Sequence, residues 1–344
     1  VVLAVFPDDV YYGNVSPSDV GEIVTEHLLK GRVVSRLAID RSISSKRLVE
    51  KETGKSQQKI VLRNAGLIDP ESIDEYIARD GYAALAKALA MHPSEVIQVI
   101  TDSKLQGRGG AGFPTGMKWG MVAKEQSDEK YVVCNADEGE PGTFKDRLIL
   151  EGDPHSIIEA MTIAGYATGA HIGIIYVRGE YLLSIARVKK AIRDAREYGL
   201  LGDDILGTGL SFDLEVYKGG GAYVCGEEFA LLESIENRRG TPRNKPPFPP
   251  QQGLFGKPTV VNNVETFANI PPILLNGSDW FKSFGTAAST GTKVFSLSGD
   301  VVNRGIVEAP FGTTLRELIY DFGGGLKGGK RLGFVQTGGR AGTV

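Results

Sequence analysis

The sequence predicts an α/β protein built around a parallel sheet, and two observations support this fold class. Short apolar runs at 131–134 and 172–177 are typical of buried parallel strands, which are hydrophobic on both faces. Segments with helical spacing of apolar residues follow these runs, at 156–168 and 181–198. Strands that alternate with helices indicate crossover connections and therefore a parallel sheet.

Composition and charge narrow the class of protein. The 344 residues include 45 glycines and are 41% hydrophobic, which suits a large α/β protein of two or three domains. The formal net charge of −3 argues against general nucleic-acid binding, which needs a basic surface. No apolar run approaches the roughly 18 residues that span a bilayer, and no signal peptide is recognisable. We therefore expect a cytoplasmic protein with no nucleic-acid partner and no direct membrane insertion.

The cysteine and histidine content predicts no metal site. Cys134 and Cys225 lie far apart, which argues against a disulfide framework. An iron–sulfur cluster needs four thiolates, so these two residues alone cannot hold one. The four histidines show no metal-ligand spacing.

The first forty residues read as the end of a domain. A short strand is followed by a turn and by a helix from Pro17 to about Lys30, with Ser16 as N-cap and Gly31 at the end. Such a segment is too small to be a domain by itself. Residues 41–59 are rich in Lys, Ser and Gln and predict a linker.

The region from 60 to 290 carries the α/β pattern, and the alternation at 212–217 adds a half-exposed strand. The pattern changes at about 291, where a small β-grasp domain without its end is predicted. Its predicted elements are a hairpin of strands at 294–298 and 305–308, a helix at 314–320, glycines at 323–325 and a last strand at 332–335. Since the chain lacks an initial Met and stops just after a predicted strand, we expect a piece of a longer polypeptide.

The most informative segment is the glycine loop, residues 107–119, which reads GRGGAGFPTGMKW. Glycine lacks a Cβ, so its backbone N–H groups can approach a ligand closely. The loop contains the fingerprint G-x-G-x-x-G, but that motif requires a preceding strand, and residues 93–100 read as a helix. It is not a Walker A motif either, because Met117 stands where Lys is required. We predict a loop against which a flat, phosphorylated molecule lies; a plain surface turn would rarely combine Arg, Phe, Lys and Trp.

Four further clusters have a similar character, and each has a simpler structural alternative. Residues 134–142 place three carboxylates after a strand, or they form a solvated acidic loop. Residues 219–228 combine a glycine triplet, Tyr and two Glu, or the glutamates only stabilise a helix N-terminus. Residues 245–250 hold a Phe in an extended proline segment, or they form a rigid polyproline II spacer. Residues 259–266 turn from strand to helix through two asparagines that can bind phosphate, or the asparagines only cap the helix.

Together the five segments describe one site with a glycine floor, phosphate donors, carboxylates for ribose hydroxyls and aromatic rings for stacking. No nucleophile–base motif occurs: the chain has neither G-x-S-x-G nor H-E-x-x-H. This pattern favours hydride transfer, in which a cofactor carries the chemistry and the protein supplies position and electrostatics.

These motifs resemble the flavoprotein family that includes the 51-kDa NADH-binding subunit of respiratory complex I. The family also includes the corresponding subunits of NAD-linked hydrogenases and formate dehydrogenases. The resemblance runs from about residue 60 to the end, with all five motifs in family order. It implies a Rossmann-like FMN- and NADH-binding domain and hydride transfer between NAD(H) and FMN. Single electrons would then pass to iron–sulfur clusters of a multisubunit complex.

The resemblance also implies site residues. For FMN these are Gly107, Arg108, Gly109, Gly110, Lys118, Asn135, Asp137, Glu138, Tyr223, Gly226, Glu227, Asn262, Asn263 and Thr266. For NADH they are Phe113, Glu140, Glu228, Lys245 and Phe248. Glu140 and Glu227 are expected near the flavin, and no residue is expected to act as a catalytic acid or base. Two positions depart from the family pattern: Met121 stands where some relatives have a stacking Phe, and Gln106 where Arg is common.

The resemblance assigns the domains as well. Residues 1–40 look like the tail of a thioredoxin-like 2Fe–2S domain, 60–290 like the FMN and NADH domain, and 291–344 like a partial β-grasp (SLBB-like) domain. We expect the cluster-binding parts, including a C-terminal 4Fe–4S helical domain, to be missing from these residues, which would then ligate neither 2Fe–2S nor 4Fe–4S.

The expected partners are a 24-kDa-like 2Fe–2S subunit and the catalytic subunit of a hydrogenase or formate dehydrogenase. The N-terminal tail favours the hydrogenase-type branch. The alternatives are a complex I subunit, a formate dehydrogenase diaphorase and a flavin-free scaffold. A carboxylate at Glu228 favours NADH over NADPH.

Overall fold

The computed structural model describes residues 3–5, 10–13, 15–38, 57–339 and 342, in two compact units that divide after Lys51. In the first unit, strand β1 (Leu3–Val5) pairs antiparallel with β2 (Val10–Tyr12). A helical segment follows, as the sequence predicts, and it changes type along its length: a 3₁₀ turn at Pro17–Asp19, an α-turn at Val20–Glu22 and a π-helix at Ile23–Leu28. Residues 41–56 of the expected linker lie outside the described residues.

The second unit contains the predicted parallel sheet. Its strands are β3 (Tyr131–Ala136), β4 (Ile172–Arg178), β5 (Asp213–Gly219) and β6 (Thr259–Asn263), in the order β5-β4-β3-β6. All three pairings are parallel. The fold class predicted from the sequence is therefore confirmed.

Helices cover both faces of this sheet. The helix Pro154–Thr168 packs against β3 and β4; the Asp153 side chain caps it, and Gly169 ends it with a φ of 74°. Across the sheet, Phe229 and Leu232 pack with alternate residues of the strands. The α-helices of the second unit are Ile73–Ile77, Ala83–Leu89, Pro93–Asp102, Thr115–Lys124, Lys145–Gly152, Pro154–Thr168, Leu182–Glu197, Glu228–Ile235, Pro249–Gln252, Val264–Ala268, Ile270–Asn276, Ser278–Lys282 and Leu315–Glu317. Single 3₁₀ turns lie at Ile205–Gly207, Tyr223–Gly226, Leu254–Gly256 and Lys327–Gly329.

The predicted hairpin after residue 290 is present. Strand β7 (Thr292–Leu297) pairs antiparallel with β8 (Gly305–Pro310), and Leu315–Glu317 continues as a π-helix at Leu318–Phe322. The predicted last strand at 332–335 is wrong: these residues form no ladder. An apolar run becomes a strand only where another strand accepts its hydrogen bonds, and Phe334 is 74% exposed.

Candidate functional site

A pocket of about 560 Å³ opens at the carboxyl ends of β3 and β6, the edge at which parallel sheets bind ligands. Of the residues expected to hold FMN, its wall contains Gly107, Gly109, Gly110, Lys118, Asn135, Gly226, Glu227, Asn262, Asn263 and Thr266. Of those expected to hold NADH, it contains Phe113, Glu228, Lys245 and Phe248. The wall does not include Arg108, Asp137, Glu138, Glu140 or Tyr223. The structure thus gathers residues of all five sequence segments in one wall, although the acidic segment after β3 contributes only Asn135.

The helix Pro93–Asp102 before the glycine loop is the predicted one. Residues 115–119 of the predicted loop instead form the start of the helix Thr115–Lys124. A β-bridge between Gln106 and Pro114 closes the loop at its base. Gly110 has a φ of 133°, a conformation that disfavours any side chain. At Gly109 an added Cβ would lie 3.0 Å from the Cβ of Asn263. The backbone of the loop therefore rests directly on the end of β6.

The Arg108 side chain points away from the pocket. Its guanidinium donates to the carbonyl oxygens of Thr290 (2.8 Å) and Thr292 (3.1 Å) and lies 4.6 Å from the ring centre of Phe311. Its backbone N–H donates to the Thr266 hydroxyl at 2.8 Å. Burial lowers the pKa of this guanidinium, with Glu265 acting in the opposite sense. Arg108 anchors the glycine loop to the start of β7.

The two asparagines at the end of β6 differ in their hydrogen bonds. Asn262 is buried, and its Oδ1 has no hydrogen-bond partner among the described residues. The Asn263 amide is engaged at both ends: Nδ2 donates to Asp146 Oδ2 at 2.6 Å, while Oδ1 accepts from Lys145 Nζ at 3.2 Å and from the Glu265 N–H at 3.0 Å. Of the two side chains, only Asn262 therefore has an amide oxygen that could accept a hydrogen bond from a ligand.

Beneath this floor lies an ionic cluster, which we define as Lys145, Asp146, Glu265 and Lys293; the first three are buried and Lys293 is half-buried. Lys145 Nζ lies 2.6 Å from Asp146 Oδ1 and 3.0 Å from Glu265 Oε2, and Lys293 forms a further short ion pair with Glu265. Burial favours the neutral form of Glu265, but Lys145 and Lys293 outweigh it and lower the pKa of that carboxyl. Similarly, burial disfavours the Lys145 ammonium, but Asp146 and Glu265 raise its pKa. No sequence pattern pointed to this cluster, although Glu265 lies in the strand-to-helix segment at 259–266.

Two carboxylates that follow β3 lie behind the pocket wall. Glu138 accepts hydrogen bonds from the N–H groups of Asp146 (2.9 Å) and Arg147 (3.2 Å), at the start of the helix Lys145–Gly152. Burial, together with the nearby Asp146 charge, raises the pKa of Glu138 to about 7. Burial likewise raises the pKa of Asp137 to about 6, and neither of its oxygens has a hydrogen-bond partner among the described residues.

Lys118 supplies positive charge inside the pocket. Its Nζ donates to the Val261 carbonyl oxygen at 2.8 Å and lies 3.9 Å from Glu228 Oε2. Burial lowers the pKa of this ammonium, and Glu228 partly restores it.

The outer wall carries an ion pair between Lys245 and two glutamates. Lys245 Nζ lies 2.9 Å from Glu227 Oε1 and 2.7 Å from Glu228 Oε1. The other oxygen of Glu227 accepts from the N–H groups of Phe229 and Ala230, so Glu227 caps the helix Glu228–Ile235. The helix-end alternative from the sequence therefore fits both glutamates, since Glu227 caps the helix and Glu228 is its first residue, and both also pair with Lys245.

Aromatic rings complete the outer wall: Phe113 is 42% exposed and Phe248 is 46% exposed. The predicted extended proline segment is confirmed only at Phe248, which has φ −94° and ψ 163°. The rest of the prediction is wrong, because the chain bends at residues 245–247 and the helix Pro249–Gln252 begins directly after Phe248.

Tyr223 and Glu140 contact each other outside the wall, with the Tyr223 hydroxyl 2.5 Å from Glu140 Oε2. Met121, which departs from the family pattern, does line the pocket.

Among the described residues, no cluster of three or more His, Cys, Asp or Glu could hold a metal ion. None of the described helices combines the length and the apolar character that a membrane span requires.

The fold and the pocket define a cofactor-binding α/β protein, and comparison with known proteins gives its family. Residues 100–272 match the family model described as the Nuo51 FMN-binding domain, and the chain belongs to this family. The resemblance stated from the sequence is thereby confirmed.

Two relatives illustrate the range of the family. The chain is 60% identical over 290 residues to the NADP-reducing hydrogenase subunit HndC of Solidesulfovibrio fructosivorans, covering 84% of this chain and 59% of the relative. It is 49% identical over 281 residues to an NADH-quinone oxidoreductase subunit of Rhizobium meliloti (strain 1021), covering 81% of this chain and 67% of the relative.

A solved NAD⁺-reducing [NiFe]-hydrogenase in the H₂-reduced state is similar in structure, with a TM-score of 0.73 and 32% identity. That match covers 91% of this chain and 50% of the hydrogenase chain. The chain thus spans only about half to two thirds of the length of these similar proteins.

Proposed function

We propose that this chain is the FMN- and NAD(H)-binding part of an oxidoreductase flavoprotein subunit. Hydride would pass between NAD(H) and FMN, and single electrons would then leave to iron–sulfur clusters. The observation that carries the proposal is the pocket in which the glycine loop lies on the end of β6, in a chain of the Nuo51 FMN-binding family.

The inner wall suits a flat, phosphorylated cofactor. Gly109 and Gly110 have no side chains, so a planar ring can approach the loop backbone. Lys118 offers an ammonium for a phosphate or ring oxygen, and Asn262 Oδ1 has no partner among the described residues. The Thr266 hydroxyl accepts from Arg108, which leaves its own hydrogen free to donate. We propose that these groups hold FMN, together with Gly107, Asn135 and Gly226.

The outer wall suits a ligand that enters and leaves. Phe113 and Phe248 offer exposed rings for stacking, and Glu228 offers a carboxylate for ribose hydroxyls. Bound FMN supplies the redox chemistry, because it takes up an electron pair with hydride and releases electrons singly. The residues of the chain position the two reactants and shape the electrostatics around them.

We further propose a hydrogenase-type multisubunit complex as the setting. A 24-kDa-like 2Fe–2S subunit and a hydrogenase catalytic subunit would be its partners, in the cytoplasm. The support is the similarity to a hydrogenase subunit and to a solved hydrogenase. A complex I subunit is the second candidate, favoured by the similarity to NADH-quinone oxidoreductase subunits. Identification of the subunits that co-purify with the native protein distinguishes these candidates, because a hydrogenase catalytic subunit supports the first and complex I subunits support the second.

The experiment on the purified chain is flavin reconstitution followed by anaerobic NADH titration. We expect one FMN per chain, bleaching of the flavin absorption by NADH, and NADH-dependent reduction of ferricyanide. Ferredoxin should not be reduced, because this chain is expected to carry no cluster ligands. Absence of flavin binding would support the scaffold alternative, and rapid ferredoxin reduction would contradict the expected electron route.

A further inference from the structure

The ionic cluster beneath the pocket floor has no part in the proposed function so far. The side chains of Lys145, Asp146 and Glu265 are 9%, 5% and 0% exposed. Burying charges is costly, and a buried ion pair often stabilises a protein no better than apolar residues of the same size would. A contribution to stability therefore does not explain well why charged residues occupy these buried positions. Their contacts with the pocket wall indicate a role in shaping the pocket.

The cluster reaches the pocket through Asn263. Asp146 accepts from the amide nitrogen of Asn263, while the Lys145 ammonium donates to the amide oxygen. A flipped amide would direct its N–H groups at the ammonium and its oxygen at the carboxylate, and both contacts are repulsive. The cluster thus permits one orientation of Asn263.

That orientation matters because the glycine loop rests on Asn263. A Cβ added at Gly109 would lie 3.0, 3.5 and 3.8 Å from Cβ, Cγ and Nδ2 of Asn263. A flip about the Cβ–Cγ bond exchanges Nδ2 for Oδ1 beside Gly109, and a rotation about the Cα–Cβ bond also moves Cγ. Hydrogen bonds from the amide to Lys145 and Asp146 oppose both rotations. The chain of contacts therefore runs from Lys145 through Asn263 to Gly109 and the inner wall of the pocket.

We propose that Lys145 is a positioning residue for the flavin site. It acts through Asn263 by holding the support of the glycine loop in the geometry that binds FMN. This inference rests on the proposed function, since it names a further residue of the same site. Lys145 is not in the pocket wall, so it has no direct contact to offer the ligand.

The cluster provides its own matched control. Lys293 is the second cation on Glu265, but its hydrogen bonds go to Glu265 and to the Val294 carbonyl oxygen, and not to Asn263. Lys145→Met and Lys293→Met therefore each remove one cation that pairs with Glu265. The first also removes the ion pair with Asp146 and the hydrogen bond to Asn263. A general effect of buried charge affects both variants, whereas positioning affects the first.

The experiment measures the Kd of FMN for the apoprotein by fluorescence quenching. We expect Lys145→Met to raise the Kd about tenfold, equivalent to about 1.4 kcal/mol. Lys293→Met should stay within about twofold. Lys145→Arg should recover part of the affinity, because a guanidinium keeps the charge and the donors but not the compact shape of the ammonium. In an Asn263→Ala background, Lys145→Met should have no further effect, because the residue through which it acts is gone.

Equal losses in Lys145→Met and Lys293→Met, or a full Lys145 effect in the Asn263→Ala background, would overturn the positioning role. If Lys145→Met does not fold, the charge-balanced double variant Lys145→Met/Glu265→Gln replaces it, with the same expectation. Wild-type protein without affinity for FMN would contradict the proposed function and this inference together. Wild-type affinity for FMN with an unchanged Kd in Lys145→Met would contradict the inference only.

Discussion

The two halves of the pocket are built differently. The inner half consists of the glycine loop and the ends of β3 and β6, where Thr266 and Asn262 are only 1% and 6% exposed. The outer half consists of Phe113, Phe248 and the charges around Lys245, and much of it faces solvent. Buried, mutually restrained groups hold one geometry, whereas exposed ion pairs can rearrange at little cost. The inner half therefore suits a resident cofactor and the outer half a substrate that exchanges.

The largest expected effect comes from Glu308, which binds Thr292, the residue whose carbonyl oxygen also accepts from Arg108 of the glycine loop. Glu308 is fully buried and accepts from the N–H groups of Ile60, Val61 and Leu62 and from the Thr292 hydroxyl at 2.5 to 3.0 Å. Glu308→Ala leaves these donors without an acceptor, which should destabilise the protein by roughly 3 kcal/mol or more. Thermal unfolding should show a Tm lower by about 5–10 °C. Glu215→Gln, on an exposed carboxylate of β5, is the control; equal Tm values for both variants would contradict the anchoring role of Glu308.

Gly109→Val tests the inner half directly. The branched side chain cannot fit against Asn263, so the loop must shift, and overpacking of this kind costs roughly 1–3 kcal/mol. The affinity for FMN should fall roughly 10- to 100-fold. Gly120→Ala is the matched control, because an added Cβ there meets Ile97 at an ordinary 3.8 Å. Full flavin occupancy in Gly109→Val would show that the loop is not the floor of the site.

Glu228→Gln tests the outer half through the choice of nucleotide. The carboxylate disfavours a 2′-phosphate, but its ion pair with Lys245 already cancels part of that repulsion. We expect the wild type to prefer NADH and the variant to narrow the NADH/NADPH ratio of kcat/KM about two- to tenfold, mainly by improving NADPH. The measurement is kcat/KM with NADH and with NADPH for the wild type and the variant. An unchanged NADH/NADPH ratio would show that Glu228 does not set the nucleotide preference.

A further expected effect concerns pH. Burial raises the pKa of Glu138 from 4.5 to about 7, so between these values the folded protein holds a proton that the unfolded chain has released. The free energy of unfolding should therefore fall as the pH rises from about 4.5 to 7. Glu138→Gln does not titrate and should flatten this part of a plot of Tm against pH. Parallel curves for the variant and the wild type would contradict the raised pKa.

The sequence by itself determined the strands of the sheet, the glycine loop and the segments that meet at one pocket. These features rest on local patterns: apolar runs long enough for a buried strand, and glycines that permit close approach. It also carried the resemblance to the family to which the chain belongs.

Only the tertiary structure decided where individual side chains point. Arg108 and Asn263 belong to sequence segments that line the pocket, yet the guanidinium binds carbonyl oxygens near β7 and the amide binds the ionic cluster. Their partners are more than 100 positions away in the chain, so no local pattern could reveal them. The wrong prediction of a strand at 332–335 has the same cause, since a strand also needs a partner from elsewhere in the chain. A hydrogen bond, an ion pair or a strand is completed by a distant partner, and folding alone brings that partner into place.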